Sequence, residues 1–359
     1  MAVHFHPLKV KKVFRETADC VTVSFDIPAE LVNEFAYKEG QNITIKMDIG
    51  GNELRRSYSL CTAPHEKEIK VAIKKVPGGL FSQFANELLK AGDVLEVLPP
   101  LGKFNSKTRD NGTGHYLAIA AGSGITPVIS IIKHTLQAEP ESQFTLLYGN
   151  KSRSSIIFFE ALEGLKNKYM QRFNLVNILS QERTDVAINY GRIDPVKLAS
   201  LKHLLDYKAF DSIYLCGPEP LIFGASSFLQ ELGIGKDRIH FELFTSPGQN
   251  LPQEKDVVET QVENGSSSSI TVKLDGRQFD FTLARNGQSV LDAALQQGAD
   301  LPYACKGGVC CTCRAKLLSG EVIMDVNYAL EPEEVEQGFI LTCQSHPRSE
   351  RVVIDFDIK

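Results

Sequence analysis

Four cysteines spaced Cys305-x4-Cys310-x2-Cys313, with Cys343 downstream, are the residues of this 359-residue chain best placed to do chemistry. That spacing delivers four thiolates to a 2Fe-2S cluster. Three come from one tight loop, where Gly307 and Gly308 let the backbone curl until its N–H groups reach sulfur. The alternatives are a zinc site or buried thiols. Zinc favours paired C-x2-C units, and thiols that merely pack have no reason to crowd. Cys311 lies between engaged neighbours and is expected to pack into its domain rather than bind iron.

Further motifs stand upstream. Arg56-Ser57-Tyr58-Ser59 places an arginine near an aromatic hydroxyl; taken alone, it also suits packing on a strand. About twenty residues later, Gly78-Gly79-Leu80-Phe81-Ser82 opens a predicted helix. Unpaired N–H groups and the helix dipole suit a pyrophosphate there. The alternative is an ordinary N-cap at Ser82. Gly122-Ser123-Gly124-Ile125-Thr126-Pro127 lies between a strand and a helix. Pro127 replaces the third glycine of G-x-G-x-x-G but suits a first helical turn; a bare structural turn is the alternative. Cys216-Gly217-Pro218 closes a later strand. Open parallel sheets bind ligands beyond the carboxyl ends of their strands, where both motifs fall. For Cys216 the alternative is a buried apolar thiol. Lys151, Ser152 and Arg153 have no acidic neighbour along the chain. Cations suit a ribose 2′-phosphate, whereas Asp or Glu holds a free 2′-hydroxyl; solvated surface cations are the alternative. Val71-Ala72-Ile73-Lys74 spells a kinase strand motif, but no His-Arg-Asp or Asp-Phe-Gly follows. It is read as a barrel strand beside the cofactor.

The elements that must position these motifs fall into segments. Residues 1–110 read as β-rich: Val21–Phe25 and Ile43–Met47 alternate with period two, punctuated by Glu39-Gly40 and Gly50-Gly51-Asn52. The pattern predicts an antiparallel barrel with one helix at Ser82–Leu89. Residues 111–245 alternate short apolar strands, at Tyr116–Ala120, Phe144–Tyr148, Phe173–Leu179 and Ser212–Cys216, with helices at Val128–Leu136, Ile156–Leu165 and Leu221–Leu232. That alternation predicts a parallel sheet with helices on both faces. Residues 246–269 have little to bury and read as a flexible linker, about 25–30 Å across as a coil. Residues 270–359 open with two alternating runs around Asp275-Gly276, a hairpin signal, then a helix at Ser289–Gln297 stopped by Gly298. The fold class is therefore multidomain, α/β plus β.

Bulk properties agree. Hydrophobic residues make up 43 % and the net charge is −5, so no basic footprint for nucleic acid exists. The first residues lack a signal-peptide core, and no run of about 18 apolar residues suggests a membrane span. A cytoplasmic protein is expected, and the clustered cysteines fit a metal centre in a reducing compartment. His4 and His6 stand too near the end to argue for a metal.

The segment Asp300-Leu-Pro-Tyr-Ala-Cys-Lys-Gly-Gly-Val-Cys-Cys-Thr-Cys313 resembles the cluster loop of β-grasp ferredoxins. Arg56–Ser59 with Gly78–Ser82 resembles the FAD-binding barrel of the ferredoxin–NADP reductase family, and Gly122–Pro127 with Cys216–Pro218 its nicotinamide site. The resemblance implies that Tyr58 and Ser59 lie against the isoalloxazine. Arg56 would face the FAD phosphates, and Gly79 and Ser82 would hold the pyrophosphate. Ser57 and Lys74 would line the flavin. Gly122, Gly124, Thr126, Cys216, Gly217 and Pro218 would hold the nicotinamide end of NADPH, with Lys151, Ser152 and Arg153 on its 2′-phosphate. All segments in this order resemble oxygenase reductases, most closely the reductase subunits of bacterial phenylacetyl-CoA epoxidases. Leu54–Ser59, Ala120–Pro127, Leu301–Cys310 and Asn327–Pro332 carry that likeness, with Cys311 where alanine is expected. It implies hydride transfer from nicotinamide to flavin and single electrons onward to a di-iron oxygenase. The rivals are another acceptor, such as a hybrid-cluster protein, and a redox-sensing module with little turnover.

Overall fold

The computed structural model describes residues 4–106, 112–244 and 267–358. The chain divides into two compact units, of which His6–Phe244 is the larger.

In this larger unit, β1 (His6–Thr17), β2 (Cys20–Asp26), β3 (Asn42–Ile49), β4 (Asn52–Ser59), β5 (Ile69–Lys74) and β6 (Val94–Val97) form a six-stranded antiparallel sheet ordered β4-β3-β6-β1-β2-β5. A bridge between Leu60 and Val71, with Cys61 N–H donating to Lys70 O (3.0 Å), joins the two edges into a barrel. Its core is the inward set Val23, Ile43, Ile45, Val71 and Ile73. The polar positions of β2, Thr22 and Ser24, are also buried, although alternation alone predicts them exposed. The reason is a second packed face, where Cys20, Cys61 and Ala72 join the core of the neighbouring sheet. Between β5 and β6 runs α1 (Leu80–Glu87).

The neighbouring sheet is parallel and five-stranded: β7 (His115–Ala121), β8 (Gln143–Asn150), β9 (Phe173–Leu179), β10 (Ser212–Gly217) and β11 (Ile239–Leu243), ordered β11-β10-β7-β8-β9. The chain runs outward from β7 through β8 and β9, then returns to β10. The crevice between β7 and β10 is therefore the switch point where such sheets bind ligands. The helices are α2 (Ile125–Ala138), α3 (Phe159–Lys168), α4 (Pro195–Ser200) and α5 (Glu219–Glu231). Helix α2 starts three residues before the predicted point, since Pro127 fits its first turn. Helix α3 starts three residues late, because Phe158 takes a left-handed φ of 62° and cannot continue a helix. The barrel and this sheet pack as one unit. Gly40 N–H donates to Ser130 Oγ (3.2 Å), Ser130 Oγ donates to Thr62 O (2.6 Å), and Lys133 pairs with Glu66 (3.0 Å).

The second unit contains β12 (Ser267–Leu274), β13 (Arg277–Ala284), α6 (Val290–Gln296), β14 (Arg314–Ser319), β15 (Val322–Met324), α7 (Pro332–Glu336), β16 (Phe339–Leu341), β17 (Ser345–Pro347) and β18 (Arg351–Asp355). The main sheet is ordered β13-β12-β18-β14-β16, with β12 and β18 parallel and the other pairs antiparallel. Asp275 (φ 51°) and Gly276 (φ 69°) make the hairpin turn, two left-handed residues whose twist matches the strands. Ser289 caps α6 by accepting from Asp292 N–H (3.2 Å). Strand β12 begins at Ser267, three residues inside the stretch read as linker; the rest of that stretch lies outside the described residues. No helix among the described residues is long and apolar enough to cross a membrane.

Candidate functional site

Strand β4 delivers Arg56 to Ser59 to one end of the barrel, paired with β3 so that Ser59 lies opposite Asn42 and Tyr58 opposite Ile43. Tyr58 packs its ring 5.8 Å from Phe81 at the start of α1, and Ser57 Oγ lies 3.1 Å from Thr44 Oγ1. Arg56 Nη1 donates to Arg55 O (2.8 Å). At the α1 entry, the N-cap is Gly79, not Ser82. Ser82 Oγ donates to Gly79 O (3.1 Å) and accepts from Val76 N–H (3.0 Å), so this hydroxyl ties its own turn together. A side chain at Gly79 would meet Ser82 Oγ at 2.7 Å, which explains the glycine. What this turn offers an anion is therefore the N–H groups of the first helical turn.

The glycine turn after β7 and the motif closing β10 are brought into contact. A Cβ on Gly124 would lie 2.1 Å from Cys216 O and 2.8 Å from Gly217 N, so only glycine permits this approach. Strand register places Cys216 beside Ala120. Thr126 Oγ1 donates to Ser123 O (3.0 Å), and Tyr148 Oη donates to Gly122 O (2.9 Å), which fixes the turn. Pro218 is the N-cap of α5. Lys74, at the end of barrel strand β5, brings its Nζ to 3.8 Å from where a Cβ on Gly122 would stand, and lies 3.6 Å from Asp19.

These two halves meet at a carboxylate that sequence reasoning missed. Glu242 lies beside Cys216 in the β10–β11 register, and its Oε2 accepts a hydrogen bond from Ser59 Oγ of the barrel (2.9 Å). The residue keeps some exposed edge, but its carboxyl end is withdrawn from water. Burial pushes that carboxyl up to about 7, against the opposing pull of hydrogen bonds from Ser59 and Asn42. Cys216 is fully buried, and burial with the nearby Glu242 carboxylate pushes its thiol well up. It stands here as a neutral thiol. The only trace in the sequence is an acidic residue inside the apolar strand Ile239–Leu243.

Lys151, Ser152 and Arg153 follow β8, the strand next to β7, on the same sheet edge. Lys151 and Arg153 are exposed, and the Arg153 guanidinium lies 4.8 Å over the Phe159 ring. The chain gives them no acidic neighbour, but the fold does: Glu182 Oε2 accepts from Arg153 N–H (2.8 Å). Gln181 N–H donates to Lys151 O (2.8 Å), so the loop after β9 is what carries Glu182 there.

In the second unit the four predicted cluster cysteines come together as two pairs. Cys310 Sγ donates to Cys305 Sγ (3.1 Å), and Cys313 is hydrogen-bonded to Cys343. Among the described residues no three His, Cys, Asp or Glu side chains surround one point as a single metal requires. Two thiols for each of two irons fit the paired arrangement. Cys305 is drawn towards thiolate, first by Cys310 and then by backbone N–H groups, including Gly307 N–H at 3.3 Å. Gly308 (φ 71°) has no room for a side chain, since a Cβ would meet Val326 at 2.9 Å. Cys311 packs against the core of this unit, with its Sγ donating to Ala329 O (3.2 Å). No disulfide joins any of the eight cysteines.

Comparison with known proteins agrees with this geometry. Residues 7–106 match the oxidoreductase FAD-binding domain, residues 118–227 the oxidoreductase NAD-binding domain, and residues 272–348 the 2Fe-2S iron-sulfur cluster binding domain. The chain is 46 % identical to a component of the 1,2-phenylacetyl-CoA epoxidase of Escherichia coli (strain K12), over 99 % of this chain and 98 % of the relative. It is 33 % identical to the ferredoxin reductase component of 3-ketosteroid-9-alpha-monooxygenase from Rhodococcus rhodochrous, over 97 % and 96 %. Among solved structures, phthalate dioxygenase reductase shares the fold with a TM-score of 0.58 at 22 % identity, covering 98 % of both chains. The chain therefore belongs to the family of oxygenase reductase components that join FAD-binding, NAD-binding and 2Fe-2S domains in one polypeptide.

Proposed function

We propose that this chain is the NADPH-dependent, cytoplasmic reductase of a di-iron oxygenase that epoxidises the ring of phenylacetyl-CoA. The observation that carries the site reading is the 2.9 Å hydrogen bond from Ser59 to Glu242, where the barrel motif meets the strand carrying the nicotinamide-side motif. When bound, FAD accepts a hydride from the nicotinamide and the 2Fe-2S cluster carries single electrons onward. The chain's own residues do the positioning. Tyr58 and Ser59 present the flavin face, and the N–H groups after Gly79 receive the pyrophosphate. Gly122 and Gly124 let the nucleotide approach the backbone, with Lys74 beside them. The buried Cys216 stays neutral and would back the nicotinamide side of the site from within the core. Glu242, poised near 7, takes or releases a proton at its carboxyl. Cys305 and Cys310 would hold one iron, and Cys313 and Cys343 the other.

The acceptor rests on the 46 % identical relative. A second reading, another oxygenase, is favoured by relatives named for 3-ketosteroid and glycine betaine monooxygenases at 33 % and 30 % identity. Mixing purified reductase, di-iron oxygenase, NADPH, oxygen and phenylacetyl-CoA decides between them. Epoxide formation coupled to NADPH oxidation is expected. Uncoupled NADPH oxidation without epoxide, with efficient reduction of another oxygenase, would overturn the acceptor.

A further inference from the structure

Gln344 follows the last cluster cysteine, and its side chain turns back beneath the loop that carries the first. The residue is 9 % exposed. Its Nε2 donates to Lys306 O (2.9 Å) and Cys343 O (3.1 Å), and stands 3.6 Å from Cys343 Sγ. Lys306 adjoins Cys305, so this one amide spans from the first cluster cysteine to the fourth. The position is tightly held. Gln344 O accepts from Asp325 N–H (2.9 Å), and a Cβ on Gly308 would meet Gln344 Cγ at 3.2 Å. The Cys305 sulfur draws on backbone N–H groups, and Cys310 on the Thr312 hydroxyl. At Cys343 the backbone N–H of Gly308 is joined by this side-chain amide.

We propose that Gln344 is a positioning residue for the cluster: its amide clamps the ligand loop to Cys343 and donates to that sulfur, holding the reduction potential up. A donor at a ligand sulfur withdraws electron density and favours the reduced, more negative centre. The same bonds keep the loop closed over the site, so potential and geometry depend on one side chain. The inference rests on the 2Fe-2S reading of the four cysteines.

The test is an anaerobic spectroelectrochemical titration of the full chain, with iron and acid-labile sulfide measured on each sample. Gln344→Met keeps the length and removes the N–H donors. Its cluster midpoint is expected to fall by roughly a tenfold change in the reduced-to-oxidised ratio, about 59 mV for one electron, while the flavin midpoint stays in place. Gln344→Glu keeps the shape and puts a negative charge beside the sulfur, and should fall further. A fully loaded Gln344→Met with an unmoved cluster midpoint overturns the proposal. Loss of cluster from both variants also overturns it, because the residue then serves folding of the loop alone. A wild-type chain without two irons and two sulfides would instead remove the cluster reading itself.

Discussion

A carboxyl group on the edge strand β11, bonded to Ser59 and adjoining a neutral thiol, gives Glu242 a measurable signature. Its folded ionisation lies near 7, above the ordinary 4.5. Between those values the folded chain keeps a proton that the unfolded chain has lost. Its contribution to stability is therefore highest below pH 4.5 and falls as pH rises to about 7. At about 1.4 kcal/mol per unit, the loss is roughly 3 kcal/mol at most. Glu242→Gln should flatten this slope in denaturant midpoints recorded from pH 4.5 to 7. An unchanged slope would show that the carboxyl is solvated. Chemistry at this scale was only partly legible. The cysteine spacing could be read directly, because a loop needs no tertiary help to bring three of its own thiols together. Glu242 could not, because an acidic residue in a strand looks alike whether it faces water or a buried hydroxyl on another sheet.

Elements set the register in which those residues meet. The end of β8 projects Lys151, Ser152 and Arg153, and the loop after β9 adds Glu182. Because Glu182 accepts from the backbone N–H of Arg153, truncating that side chain leaves this bond in place. Arg153→Ala therefore reads the guanidinium alone. A charge-assisted contact with a 2′-phosphate contributes about 1.5–3 kcal/mol, so wild type should favour NADPH over NADH by roughly tenfold or more, and the variant should lose most of that ratio. Comparing kcat/KM for both donors checks it; equal efficiencies in wild type sink the NADPH assignment. Periodicity located β7 to β10, since a buried parallel strand is a short apolar run whatever surrounds it, but missed the edge strand β11, whose His240 and Glu242 interrupt the apolar pattern. Helix starts were less legible. The α3 start depends on Phe158 holding a left-handed conformation, which its residue type does not foretell.

Across the whole molecule, the acidic end of the second unit is the surface we expect a partner to meet. Glu331, Glu333 and Glu336 are exposed. Glu334 is not part of that face, because it turns inward to Arg314 (3.4 Å) and closes the capping box of α7. The three outward carboxylates should meet a basic patch, and screening length falls from about 30 Å at 0.01 M salt to about 8 Å at 0.15 M. Electron transfer to the oxygenase is therefore expected to slow over that range, while hydride oxidation without a partner changes less. Replacing Glu333 and Glu336 with Gln should weaken the salt dependence. A salt response that is identical in the double variant places docking elsewhere.

The sequence by itself determined the antiparallel and parallel sheets, the hairpin at Asp275-Gly276 and the four thiols. Each rests on local spacing, turn chemistry or periodicity. Tertiary structure alone decided that β2 is buried on both faces, that Gly124 exists to admit Cys216 O, and that Glu182 reaches Arg153. It alone placed Glu242 against Ser59, 183 residues apart along the chain. Contacts of that kind depend on which surfaces two folded sheets present to each other, and no local pattern encodes them.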